Sequence, residues 1–158
     1  MITCTRRIQF CAGHRVMEHE SKCAHLHGHN YVAFITARAD ELESPLDDVG
    51  RVIDFSVIKD IIGRWIDVHW DHGFILYRED EAGRTALKTF GSECHRLGQK
   101  PKHQKIYLLP YNPTAENMAR YLLTVVCPHQ FLSHSITVTK VLVWETENCY
   151  AEVTLEGV

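Results

Sequence analysis

The stretch Cys23-Ala-His-Leu-His27-Gly-His29, preceded by Phe10-Cys-Ala-Gly-His14 and followed by Asn30 to Ala39, decides how the chain is read. Asn30 to Ala39 suits a strand. On such a segment His27 and His29 leave the same face, and Tyr31, Ala33 and Ile35 continue it, while Val32 and Phe34 point the other way. Gly28 between the two imidazoles lets another backbone or a ligand come close. Thr3 to Ala12 suits a second strand, and Phe10, Ala12 and His14 share one parity on it. If the two strands pair, His14 aims at the same point as the His-Gly-His group. Three neutral imidazoles with an open fourth position describe a catalytic zinc (Zn2+) site, whereas structural sites are usually closed by four protein ligands. His25 has the parity of His27, but three ligands suffice. Both faces of the second strand are partly apolar, which fits packing on two sides or an interface between copies of the chain.

Working outward, 158 residues fit one domain, expected to span 1–158, with a longer polar segment at about 79–103. A formal charge of -3 gives no global attraction to nucleic acid or to anionic membranes, so neither is expected as a partner. No apolar run reaches the length of a membrane span, and Met-Ile-Thr-Cys-Thr-Arg-Arg lacks the apolar core of a signal peptide. A cytoplasmic protein is expected. The cysteines at 4, 11, 23, 94, 127 and 149 form no small-domain disulfide framework and read as thiols of a reducing compartment.

Asp54 suits an N-cap for a helix to about His69, with Ile58, Ile61, Ile62, Trp65 and Ile66 as its apolar stripe. A second helix starts near Asn112-Pro-Thr-Ala-Glu116, capped by either Asn112 or Thr114. It buries Met118, Ala119, Leu122 and Val126 and is expected to end at Cys127-Pro128. Ile136 to Trp144 and Cys149 to Leu155 read as strands joined by a turn at Glu147-Asn148. Asp80 to Leu97 could form a further helix. The order favours an α+β fold, an antiparallel sheet with helices on one face.

Three further positions carry chemistry. Cys23 lies beside Lys22 and the histidine cluster, where positive surroundings favour thiolate. It could act as a base or nucleophile, or as a fourth zinc ligand, and the three-residue spacer to His27 leaves both open. Asp71-His72 follows the first helix, where a cap with solvated charge competes with a proton relay. Glu145 shares a face with Val141 and Val143, and a carboxylate ending an apolar face needs solvent, a cation or a ligand donating hydrogen bonds. A heterocycle with an amino group beside a ring N–H would offer two parallel donors.

The set Phe10-x-Ala-x-His14, Cys23-x3-His27-Gly-His29, Ile53-Asp-Phe55, Asp71-His72, Pro113-Thr-Ala-Glu116 and Trp144-Glu145-Thr146 closely resembles the 6-pyruvoyltetrahydropterin synthase / 6-carboxytetrahydropterin synthase family, in the family's order and from about residue 8 to residue 150. The resemblance implies a tunnelling fold, a four-stranded antiparallel sheet with two helices on one face. Such subunits assemble as an oligomeric barrel, typically a hexamer, with sites at subunit interfaces. It implies His14, His27 and His29 as zinc ligands and Cys23 as catalytic base, with Asp71 and His72 as its partners, from the same or a neighbouring subunit. It implies Glu145 as the pterin anchor, with Thr114 and Glu116 close to the ring. The three-residue gap between Cys23 and His27 resembles the bacterial 6-carboxy enzymes of the queuosine pathway. The expected activity is conversion of 7,8-dihydroneopterin triphosphate to 6-carboxytetrahydropterin, acetaldehyde and triphosphate. The alternatives are a 6-pyruvoyl synthase that releases triphosphate only and a non-catalytic pterin- or zinc-binding paralogue. The segment 79–103 departs from the compact linker of the bacterial enzymes.

Overall fold

The computed structural model describes residues 2–40, 46–96 and 104–155, excluding the side chains of 91–96. Strands β1 (Thr3–His14) and β2 (His27–Ala39) pair antiparallel in the register that sets His14 against His27. Helix α1 (residues 55–69) leads to the short strand β3 (Gly73–Tyr77), helix α2 (Glu81–Arg96) to β4 (Ile106–Leu109), and helix α3 (residues 115–130) to the hairpin β5 (Ile136–Thr146) and β6 (Cys149–Thr154). The sheet order is β4-β3-β1-β2-β5-β6.

The expected four antiparallel strands are β1, β2, β5 and β6. The sheet is nevertheless mixed and six-stranded, because β3 runs parallel to β1 and β4 parallel to β3. Parallel neighbours need crossovers, which α1 and α2 supply. The two added strands are five and four residues long, too short for alternation to mark them in the sequence. The helix expected from Asp80 is α2, making three helices; Leu97, its expected end, lies outside the described residues.

Burial follows strand parity. Ile8, Phe10, Ala12, Tyr31, Ala33, Ile35, Val141 and Val143 form the face covered by α1 and α3. Ile58, Ile62 and Ile66 from α1 with Trp70 just after it, and Met118, Leu122 and Val126 from α3, fill the space between. Each such side chain contributes about 2 kcal/mol by leaving water. Both sets repeat every four residues, which on a regular α-helix drifts by about 40° per step. Both helices contain a π turn, Lys59–Gly63 and Leu122–Val126, whose wider winding keeps that spacing on one line.

Asp54 caps α1 as expected, accepting from the Ser56 N–H at 2.8 Å. Thr114 caps α3, its Oγ1 accepting from the Asn117 N–H. The expected end at Cys127-Pro128 is corrected: the helix runs on to Gln130. Pro128 falls in the first turn of the α segment after the π turn, where its missing N–H costs least.

Candidate metal centre

The imidazoles of His14, His27 and His29 stand at the end of the covered sheet face, His29 one step and the His14–His27 pair two steps beyond Phe10 and Tyr31. Their nearest ring nitrogens all lie within 4.8 Å of one another, an arrangement that could hold a metal ion. The hydrogen bonds fix the tautomers. His14 Nδ1 donates to the Pro113 carbonyl at 2.8 Å and His27 Nδ1 to the His25 carbonyl at 2.8 Å, since a carbonyl can only accept. In the neutral rings both Nε2 atoms are then lone-pair acceptors, yet they face each other at 3.1 Å. Two ligands about 2.0 Å from one tetrahedral ion stand about 3.3 Å apart. The His29 Nε2 is buried without a hydrogen-bond partner among the described residues. Converging lone pairs and an orphaned nitrogen suit a cation, so the donor set fits a metal.

Electrostatics agree. His14 is 1% exposed, and burial pushes its pKa down to about 4; the charges of His27 and His29 push the same way, against the Pro113 carbonyl. Burial also lowers His29, opposed by the Glu145 carboxylate. Both shifts, of His14 and of His29, favour the neutral ring, the form that binds metal.

Glu145 is the extra residue of a bulge between Trp144 and Thr146. Its Oε1 lies 3.4 Å from His14 Nε2 and 3.7 Å from His29 Nε2, so the carboxylate closes one side of the cluster. Tyr31, wholly buried, stacks edge-on against His14 and His29. Burial and the nearby charges of Glu145 and Cys23 push its phenol up. Cys23 is half-buried in the single turn Lys22–Ala24, near enough for its charge to act on the Tyr31 phenol.

Asp71 and His72 join side chain to side chain within one chain, Asp71 Oδ2 accepting from His72 Nδ1 at 2.7 Å. His72 adopts a left-handed backbone, φ 53°, which turns the ring back onto its neighbour. The pair is pinned to β1: the Cys11 N–H donates to Asp71 Oδ1 at 2.8 Å and the His72 N–H to the Cys11 carbonyl at 2.7 Å. Burial opposes ionisation of Asp71, but the Cys11 N–H, His72 and Lys105 outweigh it and hold the carboxyl below its ordinary value. The His72 side chain is 79% exposed and lines a cleft of about 470 Å³ with His27 and His29. A second cleft, about 500 Å³, joins it at Gly28, His29 and Asn30 and holds Glu145, Trp144 and Arg7.

A sequence profile described as 6-pyruvoyl tetrahydropterin synthase matches residues 3–156. The chain belongs to this family. It is 42% identical over 156 residues to the 6-carboxy-5,6,7,8-tetrahydropterin synthase of Rickettsia conorii, covering 97% of this chain and 100% of that one. The protein of the same name from Haemophilus influenzae is 28% identical over 152 residues, covering 96% and 98%. Among solved structures, an uncharacterized protein of Wolinella succinogenes matches with a TM-score of 0.77 at 24% identity over 98% of both chains. The 6-pyruvoyl tetrahydropterin synthase of Caenorhabditis elegans matches at 0.61 and 19%, covering 98% of this chain and 96% of that one. These likenesses show the family fold.

Of the residues singled out in the sequence, the structure brings together His14, His27, His29 and Glu145, with Cys23 close by. Thr114 is adjacent through Pro113, and its hydroxyl is engaged as the cap; Glu116 is exposed in the first turn of α3. Pro113, Tyr31 and Cys11 serve the site without having been singled out. Pro113 and Cys11 act through backbone atoms, which residue type does not reveal. Tyr31 was signalled by its parity with the histidines.

Proposed function

We propose that this chain is a zinc-dependent lyase converting 7,8-dihydroneopterin triphosphate to 6-carboxytetrahydropterin, acetaldehyde and triphosphate. The observation that carries the reading is the histidine cluster, whose two facing Nε2 atoms both carry lone pairs because each Nδ1 is tied to a carbonyl. The names of the Rickettsia conorii and Haemophilus influenzae relatives, 42% and 28% identical, support the product class.

His14, His27 and His29 would hold the zinc, which when bound would supply Lewis acidity toward the side-chain hydroxyls of the substrate. Cys23 removes a proton from the substrate side chain. His72 relays protons, its ring oriented by Asp71, which stays ionised while accepting from Nδ1. Glu145 accepts the paired N–H donors of the pterin, and the cleft shared by His29 and Glu145 gives it access to both. Thr114 and Glu116, at the N-terminus of α3, border the ring. The bond between the first and second side-chain carbons breaks, and triphosphate and acetaldehyde leave. One water from solvent supplies the second oxygen of the carboxylate that stays on the pterin, while the dihydropterin ring takes up the two electrons the side chain gives up. The enzyme works as a cytoplasmic homo-oligomer, a hexamer, in queuosine and 7-deazaguanine biosynthesis. Support for assembly comes from β1, whose second edge is paired among the described residues over Ala12 to His14 alone, and from the opposite sheet face, which bears the aromatic run Phe34, Trp144 and Tyr150, with Tyr150 64% exposed.

Replacing Cys23 with Ala is expected to abolish turnover with zinc content unchanged, and replacing His27 with Ala to lose the metal, both read by elemental analysis beside the assay. Full turnover in the first variant removes Cys23 from the mechanism. Full zinc occupancy in the second refutes the ligand assignment.

A further inference from the structure

With Thr114 serving as the cap of α3, the side chain of Asn112 is left for another task. Its Oδ1 accepts from the Met17 N–H at 2.8 Å and its Nδ2 donates to the Met17 carbonyl at 3.0 Å. This two-bond exchange reproduces one rung of an antiparallel ladder, closed by a side chain across the fold. Met17 lies in the connection between β1 and β2 that carries Cys23. That connection is tied on itself by the Val16 N–H, which donates to the Cys23 carbonyl at 2.8 Å. Just after Met17 the chain bends through Glu18 at φ 64°, a left-handed backbone that non-glycine residues hold only with outside support. Asn112 is itself fixed to α3, because its carbonyl accepts from Asn117 Nδ2 at 2.8 Å and from the Thr114 N–H at 2.9 Å. The next residue, Pro113, holds the His14 ring. One rigid segment therefore sets both the imidazole of His14 and the loop of the thiol.

We propose that Asn112 is a positioning residue for Cys23, acting through Met17 and Val16 to fix the thiol loop against the histidine cluster. The proposal rests on the reading of Cys23 as the base. Only a carboxamide supplies a donor and an acceptor in this geometry: Asp keeps the acceptor alone, and Leu has neither.

The test compares Asn112→Leu and Asn112→Asp with the wild-type protein by hydrogen exchange, zinc content, alkylation of Cys23 followed by mass, and steady-state kinetics. For Asn112→Leu the expected result is unchanged zinc, faster exchange at the Met17 amide, and faster Cys23 alkylation. Its kcat should fall about tenfold or more with KM little changed, since a small displacement of a reacting group is costly. Asn112→Asp should retain Met17 protection and fall between the two. A purely structural role would lower stability without moving Cys23 alkylation or splitting kcat from KM. Wild-type alkylation and kcat in Asn112→Leu, despite faster Met17 exchange, would overturn the proposal. If the wild-type protein has no turnover, the reading of Cys23 as base fails, while exchange and alkylation still decide whether Asn112 holds the loop.

Discussion

His14 joins burial to a basic ring, and its cost has a definite pH dependence. The folded pKa is about 4 against an ordinary 6.5, chiefly because the ring is buried. As pH falls from about 6.5 to about 4, the unfolded chain binds a proton that the folded, metal-free chain refuses, so stability is lost across that window and no further below it. The loss from this group is on the order of 3 kcal/mol. His14→Gln should remove most of it, which denaturant midpoints of the metal-free proteins at neutral and acid pH would reveal; an unchanged slope would contradict the burial argument. The clustering of His14, His27 and His29 was legible at this scale because a period of two on a strand is rigid, so that pairing of β1 with β2 brings the three onto one face. The Asp71–His72 bond was not. Adjacent side chains meet here only because His72 takes a left-handed backbone, a conformation that no residue type announces.

At the scale of elements, the site depends on β1 and β2 lying close where the histidines pair. Gly13 and Gly28 face each other in the register. A Cβ on Gly28 would sit 2.8 Å from the Ala12 carbonyl oxygen, a backbone atom that cannot yield cheaply, and one on Gly13 would enter the Phe74 ring. Gly28→Ala should therefore cost about 1–3 kcal/mol. It should also weaken zinc binding by spreading His14 from His27. Thermal or chemical denaturation with a zinc titration checks both, and a variant as stable and as tight as wild type would deny the close approach. Both main helices could be read from cap and stripe, since Asp54 and Thr114 bond as caps do. What failed was the stop at Pro128, because a π turn shifts the ladder so that proline meets a first turn instead of an interior. Asn112 and Thr114 were equivalent as caps by residue type; only the fold separates the cap from the clamp.

For the whole molecule, a β1 edge that the described residues pair over Ala12 to His14 alone, and a second sheet face carrying Phe34, Trp144 and the exposed Tyr150, suit a partner. Light scattering should give a mass several times the 18.2 kDa of one chain, six times for a hexamer. A monomer at micromolar concentration would contradict the oligomeric reading. The antiparallel part of the sheet was legible because its strands are long; β3 and β4 were not, because they exist only through pairing with β1 and with each other. The segment read as an unusual polar stretch begins as α2. Asp80, 1% exposed, accepts there from the Gly83 N–H at 3.0 Å and faces Arg15 Nε at 2.9 Å, tying α2 to the residue after His14.

The most direct measurement is to incubate the zinc-loaded protein with 7,8-dihydroneopterin triphosphate and identify every product by mass. The account predicts acetaldehyde and 6-carboxytetrahydropterin together with triphosphate. Triphosphate released beside a pyruvoyl pterin of intact carbon skeleton, or no turnover with zinc bound, would contradict it.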